Sequence, residues 1–243
     1  MINAITVKNI TKKYHKSSST SKFTALDNVS FFVKKGSTTL IAGANGSGKT
    51  VLMSIIAGLV KPTIGTIKTE GRVGLIFQDS ETQILGETPE EDIDFGLKNT
   101  NVPKSQRQAI IQDMMQKTGL SHRAGFPARF LSGGEKRRLA VSSMLALNCP
   151  IIIFDEPFAN LDYTGVKQVN GLIAMLQREG RTIIILTHEL EKCLALAERF
   201  LVLYMGVVVF DGSPQTGIKK NLEKWNIKNP LTQYSSYRDL IWL

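Results

Sequence analysis

Gly43-Ala44-Asn45-Gly46-Ser47-Gly48-Lys49-Thr50 follows an apolar, β-branched run at Thr38–Ala42 and opens a helical pattern that Gly58 stops. The glycines let successive backbone N–H groups turn inward around phosphate oxygens, and a helix start adds favourable dipole charge. The spacing G-x-x-x-x-G-K-[ST] therefore predicts a nucleotide phosphate cradle with Mg²⁺ beside it. Gly43, Asn45, Gly46, Ser47 and Gly48 are expected to wrap the phosphates. Lys49 would bind the β- and γ-phosphates, and the Thr50 hydroxyl would hold Mg²⁺. A glycine-rich turn that merely joins a strand to a helix would match this spacing by chance in about one such chain in a hundred, given glycine near 7% of residues. Its placement between strand and helix lowers that chance further.

The complementary half is Ile151-Ile152-Ile153-Phe154-Asp155-Glu156. A buried strand would deliver Asp155 to the sheet edge beside the cradle, where it can orient Mg²⁺ through water. Glu156, one residue on, is the candidate general base for the attacking water. Neither Ile151–Phe154 nor Ile183–Leu186 alternates in polarity, and continuous apolar strands suit a parallel sheet covered on both faces. Further strands are expected at Ala4–Val7, Val29–Val33, Val73–Phe77, Thr182–Leu186, Phe200–Tyr204 and Val207–Phe210. Helices are expected from Gly48 to Ala57 and along the stripe Val166, Val169, Leu172, Ile173 and Leu176, which Gly180 ends. Strands cluster before about Phe77 and after about Cys149, and the middle reads mostly as helix. The polar stretch Lys16–Ser21 reads as a mobile hairpin loop.

Leu131-Ser132-Gly133-Gly134-Glu135 matches the signature sequence of ABC-family ATPases, and it stands shortly before the Asp155 strand, as in that family. The resemblance extends to about Pro214 with every motif in family order. It implies an α/β fold: a P-loop NTPase core with a mostly parallel sheet, an antiparallel β subdomain and an inserted α-helical subdomain. The whole of 1–243 is then one nucleotide-binding domain, with the insertion at about 79–148 and a C-terminal tail at about 215–243. By the same resemblance Tyr14 stacks on adenine, and Gln78 links the nucleotide site to a membrane partner and to Mg²⁺. Asn160-Leu161-Asp162 is the loop through which two subunits sense each other, and His188 contacts the γ-phosphate. Ser132, Gly133 and Gly134 serve the ATP of an opposite subunit, so that dimerisation belongs to the mechanism.

Two further stretches are similar to the energy-coupling-factor ATPases, which drive uptake of vitamins and of cobalt or nickel ions. Phe77-Gln78-Asp79-Ser80-Glu81-Thr82-Gln83 resembles their F-Q-N-P-x-x-Q segment, and Glu90–Leu97 resembles E-E-D-V-A-F-G-L. The resemblance implies as partners a second ABC ATPase subunit, the same or different, a transmembrane coupling subunit and a membrane substrate-binding subunit. It implies a peripheral position on the cytoplasmic face of the cell membrane. The other readings are the ATPase of another ABC transporter, a non-transport ABC ATPase acting on nucleic acid or ribosomes, and a catalytically dead module. The Gln78–Leu97 stretch, the single cassette without a coiled-coil insertion, and Glu156 with His188 speak against these in turn. Departures exist as well. Val51 stands where the family places serine or threonine, which removes one α-phosphate contact worth about 0.5–1.5 kcal/mol. Asp79 and Ser80 replace Asn-Pro, Tyr163 replaces a common proline, and Glu135 replaces a frequent glutamine.

Composition agrees with one folded unit: 243 residues, 42% hydrophobic and 21% charged. No apolar run approaches the roughly 20 residues needed to cross a bilayer, and Met1-Ile2-Asn3-Ala4 does not open a secretion signal. The formal charge of +9 is spread in ones and twos from Lys8 to Lys228. No block resembles a nucleic-acid arm, and no nucleic-acid partner is expected. Cys149 and Cys193 read as reduced thiols in apolar surroundings. Trp225, Tyr234, Tyr237 and Trp242 of the tail are expected to pack on the core or on a partner.

Overall fold

The protein is described by a computed structural model covering residues 2–15, 22–233 and Ser236. The predicted loop at Lys16–Ser21 and the aromatic residues Tyr234, Tyr237 and Trp242 lie outside the described residues. Nine strands and six helices follow in chain order among them: β1 (Asn3–His15), β2 (Lys22–Lys34), β3 (Thr38–Ala42), α1 (Lys49–Ile56), β4 (Ile64–Thr69), β5 (Val73–Ile76), α2 (Pro89–Asn99), α3 (Lys104–Lys117), α4 (Gly133–Ala146), β6 (Ile151–Asp155), α5 (Tyr163–Arg178), β7 (Thr182–Thr187), β8 (Arg199–Tyr204), β9 (Val207–Gly212) and α6 (Pro214–Gly217).

A six-stranded sheet runs β5-β6-β7-β3-β8-β9, parallel throughout except for the β8–β9 pair. Its central strands are buried on both faces, and the residues of one strand alternate between two cores. Ile152 and Phe154 join Leu172, Ile173 and Leu176 of α5 on one side. Ile151 and Ile153 join Leu52, Met53, Ile55 and Ile56 of α1 on the other. That double burial is why the Ile runs do not alternate in sequence. The α5 stripe faces inward as expected, and Asp162 caps this helix by accepting from Gly165 N at 2.7 Å. Phe200 is fully buried, with its ring 5.6 Å from that of Phe210. Replacing Phe200 with alanine is expected to cost about 3–5 kcal/mol in chemical unfolding. A loss under about 1.5 kcal/mol would show that this corner is not tightly packed.

A second, antiparallel sheet runs β2-β1-β4. β1 and β2 exceed the short strands expected from sequence because Asn9 and Asn28, both at positive φ, break the alternation where the ladder shifts register. Their side chains bond each other at 2.9 Å. β4 was not expected at all. Its Gly-Thr-rich sequence lacks a strand pattern, and pairing with β1 creates it.

Between β5 and β6 the helices α2, α3 and α4 enclose their own small core of Ile93, Leu97, Ile111, Met115, Leu120, Leu131 and Leu139. Thr88 caps α2 and Ser132 caps α4. At the C-terminal side Leu222, Trp225 and Ile227 pack into the first core. Cys149 and Cys193 are both free and buried, and burial raises both thiol pKa values. Among the described residues no helix is long and apolar enough to cross a membrane.

Candidate functional site

Parallel pairing fixes the site. Ala42 pairs with Thr187, and Leu186 pairs with Asp155, so the chain leaves β3, β6 and β7 at neighbouring points on one sheet edge. From that edge project the cradle, Glu156 and His188, at the carboxyl ends of the strands where α/β sheets bind ligands.

Gly48 stands at φ 105°, and a Cβ there would lie 2.7 Å from the Ala25 carbonyl oxygen and 2.9 Å from Leu26 Cδ2. Only glycine admits this backbone and this approach of β2. The Ser47 hydroxyl is buried beside Gly43 and has no hydrogen-bond partner among the described residues. Lys49, 6% exposed, donates to the Gly43 carbonyl at 2.5 Å and to the Ala44 carbonyl at 3.2 Å. Its ammonium also lies 3.4 Å from Glu156 Oε1. A buried hydroxyl without a protein partner and a cation held by loop carbonyls both fit phosphate oxygens.

Glu156 adopts φ 44°, an unfavourable conformation for a residue with a side chain, costing on the order of 1–2 kcal/mol. Around it the structure over-determines this geometry. Its N–H donates to the Leu186 carbonyl at 2.8 Å, the Thr187 hydroxyl donates to Oε2 at 2.9 Å, and His188 Nδ1 lies 3.1 Å from Oε1. The carboxylate is thereby aimed back over Lys49.

Asp155 is pushed up to about 6 by burial and then by the neighbouring Glu156 charge, with Lys49 and the Thr50 hydroxyl pulling the other way. Folding therefore favours its protonated form. The ligand-free protein should lose stability attributable to Asp155 as pH rises from about 4 to about 6, by on the order of 2 kcal/mol. Asp155→Asn should flatten that segment of the thermal midpoint against pH. An unchanged profile would show that Asp155 is not the titrating group.

A cleft of about 260 Å³ is lined by Asn45, Gly46, Ser47, Gly48, Lys49, Thr50, Val51, Gln78, Asp155 and Glu156, together with Phe23 and Ala25. His188 is half-exposed and reaches the site through Glu156. Tyr14 does not line this cleft. It stands opposite Phe23 in the hairpin, with Lys12 Nζ 5.0 Å over its ring. Phe23, an aromatic wall that no local motif marks, was missed by sequence reading, as was Thr187 as the hydroxyl partner of Glu156. Val51 packs its side chain against the second core.

Ser132, Gly133 and Gly134 do not line this cleft either. Ser132 accepts from Glu135 N at 3.3 Å while Glu135 Oε2 accepts from Ser132 N at 2.8 Å, a reciprocal cap that glutamate serves well at a helix start. Arg123 Nε donates to Glu135 at 2.9 Å. Burial pushes the Glu135 carboxyl up, but the Ser132 amide and Arg123 outweigh it and hold it below its ordinary value. Gly133 borders a second cleft with Gln78, Arg137 and Asn160, where the signature, the glutamine loop and the expected sensing loop meet. The other substituted positions are accommodated too. Asp79 caps the turn Ser80–Gln83, Ser80 is buried, and Tyr163 lies exposed at the start of α5.

The chain is similar to known proteins along most of its length. The family described as ABC transporter matches residues 26–159. The chain is 39% identical over 224 residues to the energy-coupling factor transporter ATP-binding protein EcfA1 of Mycoplasma mobile, covering 86% of this chain and 80% of that one. It is 33% identical to the EcfA1 of Clostridium novyi, over 88% and 81% of the two chains. Among solved structures it resembles cbiO1 from Clostridium perfringens, described as part of the ABC transporter complex cbiONQ, with TM-score 0.80, 28% identity and 95% and 97% coverage. It also resembles the dimeric post-hydrolysis state of the ATP-binding cassette MJ0796 bound to ADP and Pi, with TM-score 0.76, 26% identity and 86% and 98% coverage.

Proposed function

The chain belongs to the ABC transporter family, among its energy-coupling-factor ATP-binding subunits, and from that premise we propose that it acts as one of two ATPases that close around two ATP molecules beneath a transmembrane coupling subunit, powering uptake of a vitamin or of cobalt or nickel ions. The observation that carries the two-chain reading is the absence of Ser132 and Gly134 from the cleft around Lys49 and Glu156. A cradle without its signature is half a site. The opposite chain supplies the Ser132 hydroxyl and the Gly134 amide to the γ-phosphate, and closure excludes water from the rest.

Within one half, ATP draws the Lys49 ammonium from the loop carbonyls to its β- and γ-phosphates. Glu156, released from Lys49 but still held by Thr187, accepts a proton from the attacking water. His188 contacts the γ-phosphate from the end of β7. The Thr50 hydroxyl and the Asp155 carboxylate are hard oxygen donors beside the cradle, and with Gln78 they are the residues that would hold Mg²⁺. When bound, that ion neutralises charge on the phosphate oxygens. The whole domain, 1–243, serves this one task, with the helical insertion at about 79–148 presenting the surface for the coupling subunit at the cytoplasmic membrane face.

The test is purification of the tagged chain from its native membrane, followed by identification of the chains that accompany it. A second cassette with a coupling subunit and a small membrane-embedded binding protein supports the reading. A conventional permease pair keeps the ATPase chemistry but rejects the subgroup, and ribosomal or nucleic-acid partners overturn transport.

A further inference from the structure

Lys136 and Arg137 leave α4 about one turn beyond Ser132, and both hold the segment that follows β5. Lys136 pairs with Glu81 at 2.8 Å, but Glu81 is largely exposed and such a pair contributes little in water. Arg137 is different. It is 3% exposed, and its Nη2 donates at 3.0 Å to the backbone carbonyl of Gln78, 59 residues away. Nε and Nη1 have no hydrogen-bond partner among the described residues. A guanidinium buried against one neutral acceptor is costly to desolvate, and leucine or methionine would pack the same space without that cost. The directional bond to Gln78 is what the arginine supplies in return.

The held loop is also closed from its other side. Gln83 accepts from Phe77 N and donates to the Leu75 carbonyl, both at 2.7 Å. Gln78 therefore cannot shift its backbone independently of β5 and α4. It borders the nucleotide cleft on one side and the cleft beside Gly133 on the other.

We propose that Arg137 is a positioning residue that ties Gln78 of one ATP site to the helix carrying Ser132 of the other, so that each site registers the occupancy of its twin. This rests on the two-chain reading above. Because α4 starts at the signature, a shift of Gln78 on nucleotide binding moves Ser132 with it, and the reverse holds equally.

The experiment uses the transporter purified with its native partners and compares Arg137→Met and Arg137→Lys with the wild type. For Arg137→Met, apparent ATP affinity should stay within about twofold, turnover should fall at least about tenfold, and the Hill coefficient for ATP should drop toward one. Lysine keeps a donor within reach of the Gln78 carbonyl and should restore at least about half of the turnover and the cooperativity. Wild-type turnover and Hill coefficient in Arg137→Met overturn the proposal. So does a lysine variant no better than methionine, or a lowered thermal midpoint with cooperativity intact, which marks a packing role only. A wild-type Hill coefficient of one also overturns the proposal, whereas full ATP turnover by a single cassette chain sinks the underlying two-chain reading instead.

Discussion

Replacing Glu156 with glutamine is expected to slow phosphate release from the assembled transporter by about 100- to 10,000-fold, the range a positioned general base contributes, while ATP stays bound. Glutamine keeps the shape, and its carbonyl still accepts from the Thr187 hydroxyl that anchors Oε2. What disappears is the basic lone pair facing the attacking water. ATP-bound dimers should therefore accumulate, visible as a nucleotide-dependent change in hydrodynamic size. A second readout follows from electrostatics. The Glu156 charge is one of the two causes that raise Asp155 to about 6, so its removal should shift the Asp155 titration in the ligand-free protein toward lower pH. A variant that hydrolyses ATP within a few-fold of wild type would remove Glu156 from the role of base.

Lys49→Ala should weaken ATP binding by about 10- to 100-fold, since one or two charge-assisted hydrogen bonds to phosphate are lost. It should also destabilise the ligand-free chain by on the order of 2 kcal/mol. The carbonyls of Gly43 and Ala44 lose their shared donor, and Glu156 is left buried without its cation. Lys49→Met separates the parts, because it retains the aliphatic stem and removes only the charge. Titration of a fluorescent ATP analogue and thermal unfolding together measure both effects. Unchanged affinity in either variant would rule out the phosphate role of Lys49.

Much of this was legible in the sequence because it depends on local spacing. The P-loop glycines, the paired acids after an apolar strand and the signature Leu131–Glu135 each declare themselves within a few residues. The strands Ile151–Phe154 and Ile183–Leu186 were equally plain, since burial on both faces leaves no polar positions. The misses share the opposite property. β4 exists only because β1 pairs with it, and the extent of β1 and β2 is hidden by the bulges at Asn9 and Asn28. Phe23 reaches the cleft through the hairpin's placement over the cradle, and Arg137 finds its acceptor 59 residues away. No window along the chain contains these partners.

Arg137 is the fifth of the 14 residues of α4, so its tie to the Gln78 carbonyl meets the helix about 6 Å from the start. Farther along, Ser142 bonds the Thr118 hydroxyl at 2.7 Å and Ser143 donates to Asp92 at 2.9 Å. Fastened to three neighbours along its length, α4 cannot swing alone. A displacement that reaches Ser132 must carry α2 and the end of α3 with it.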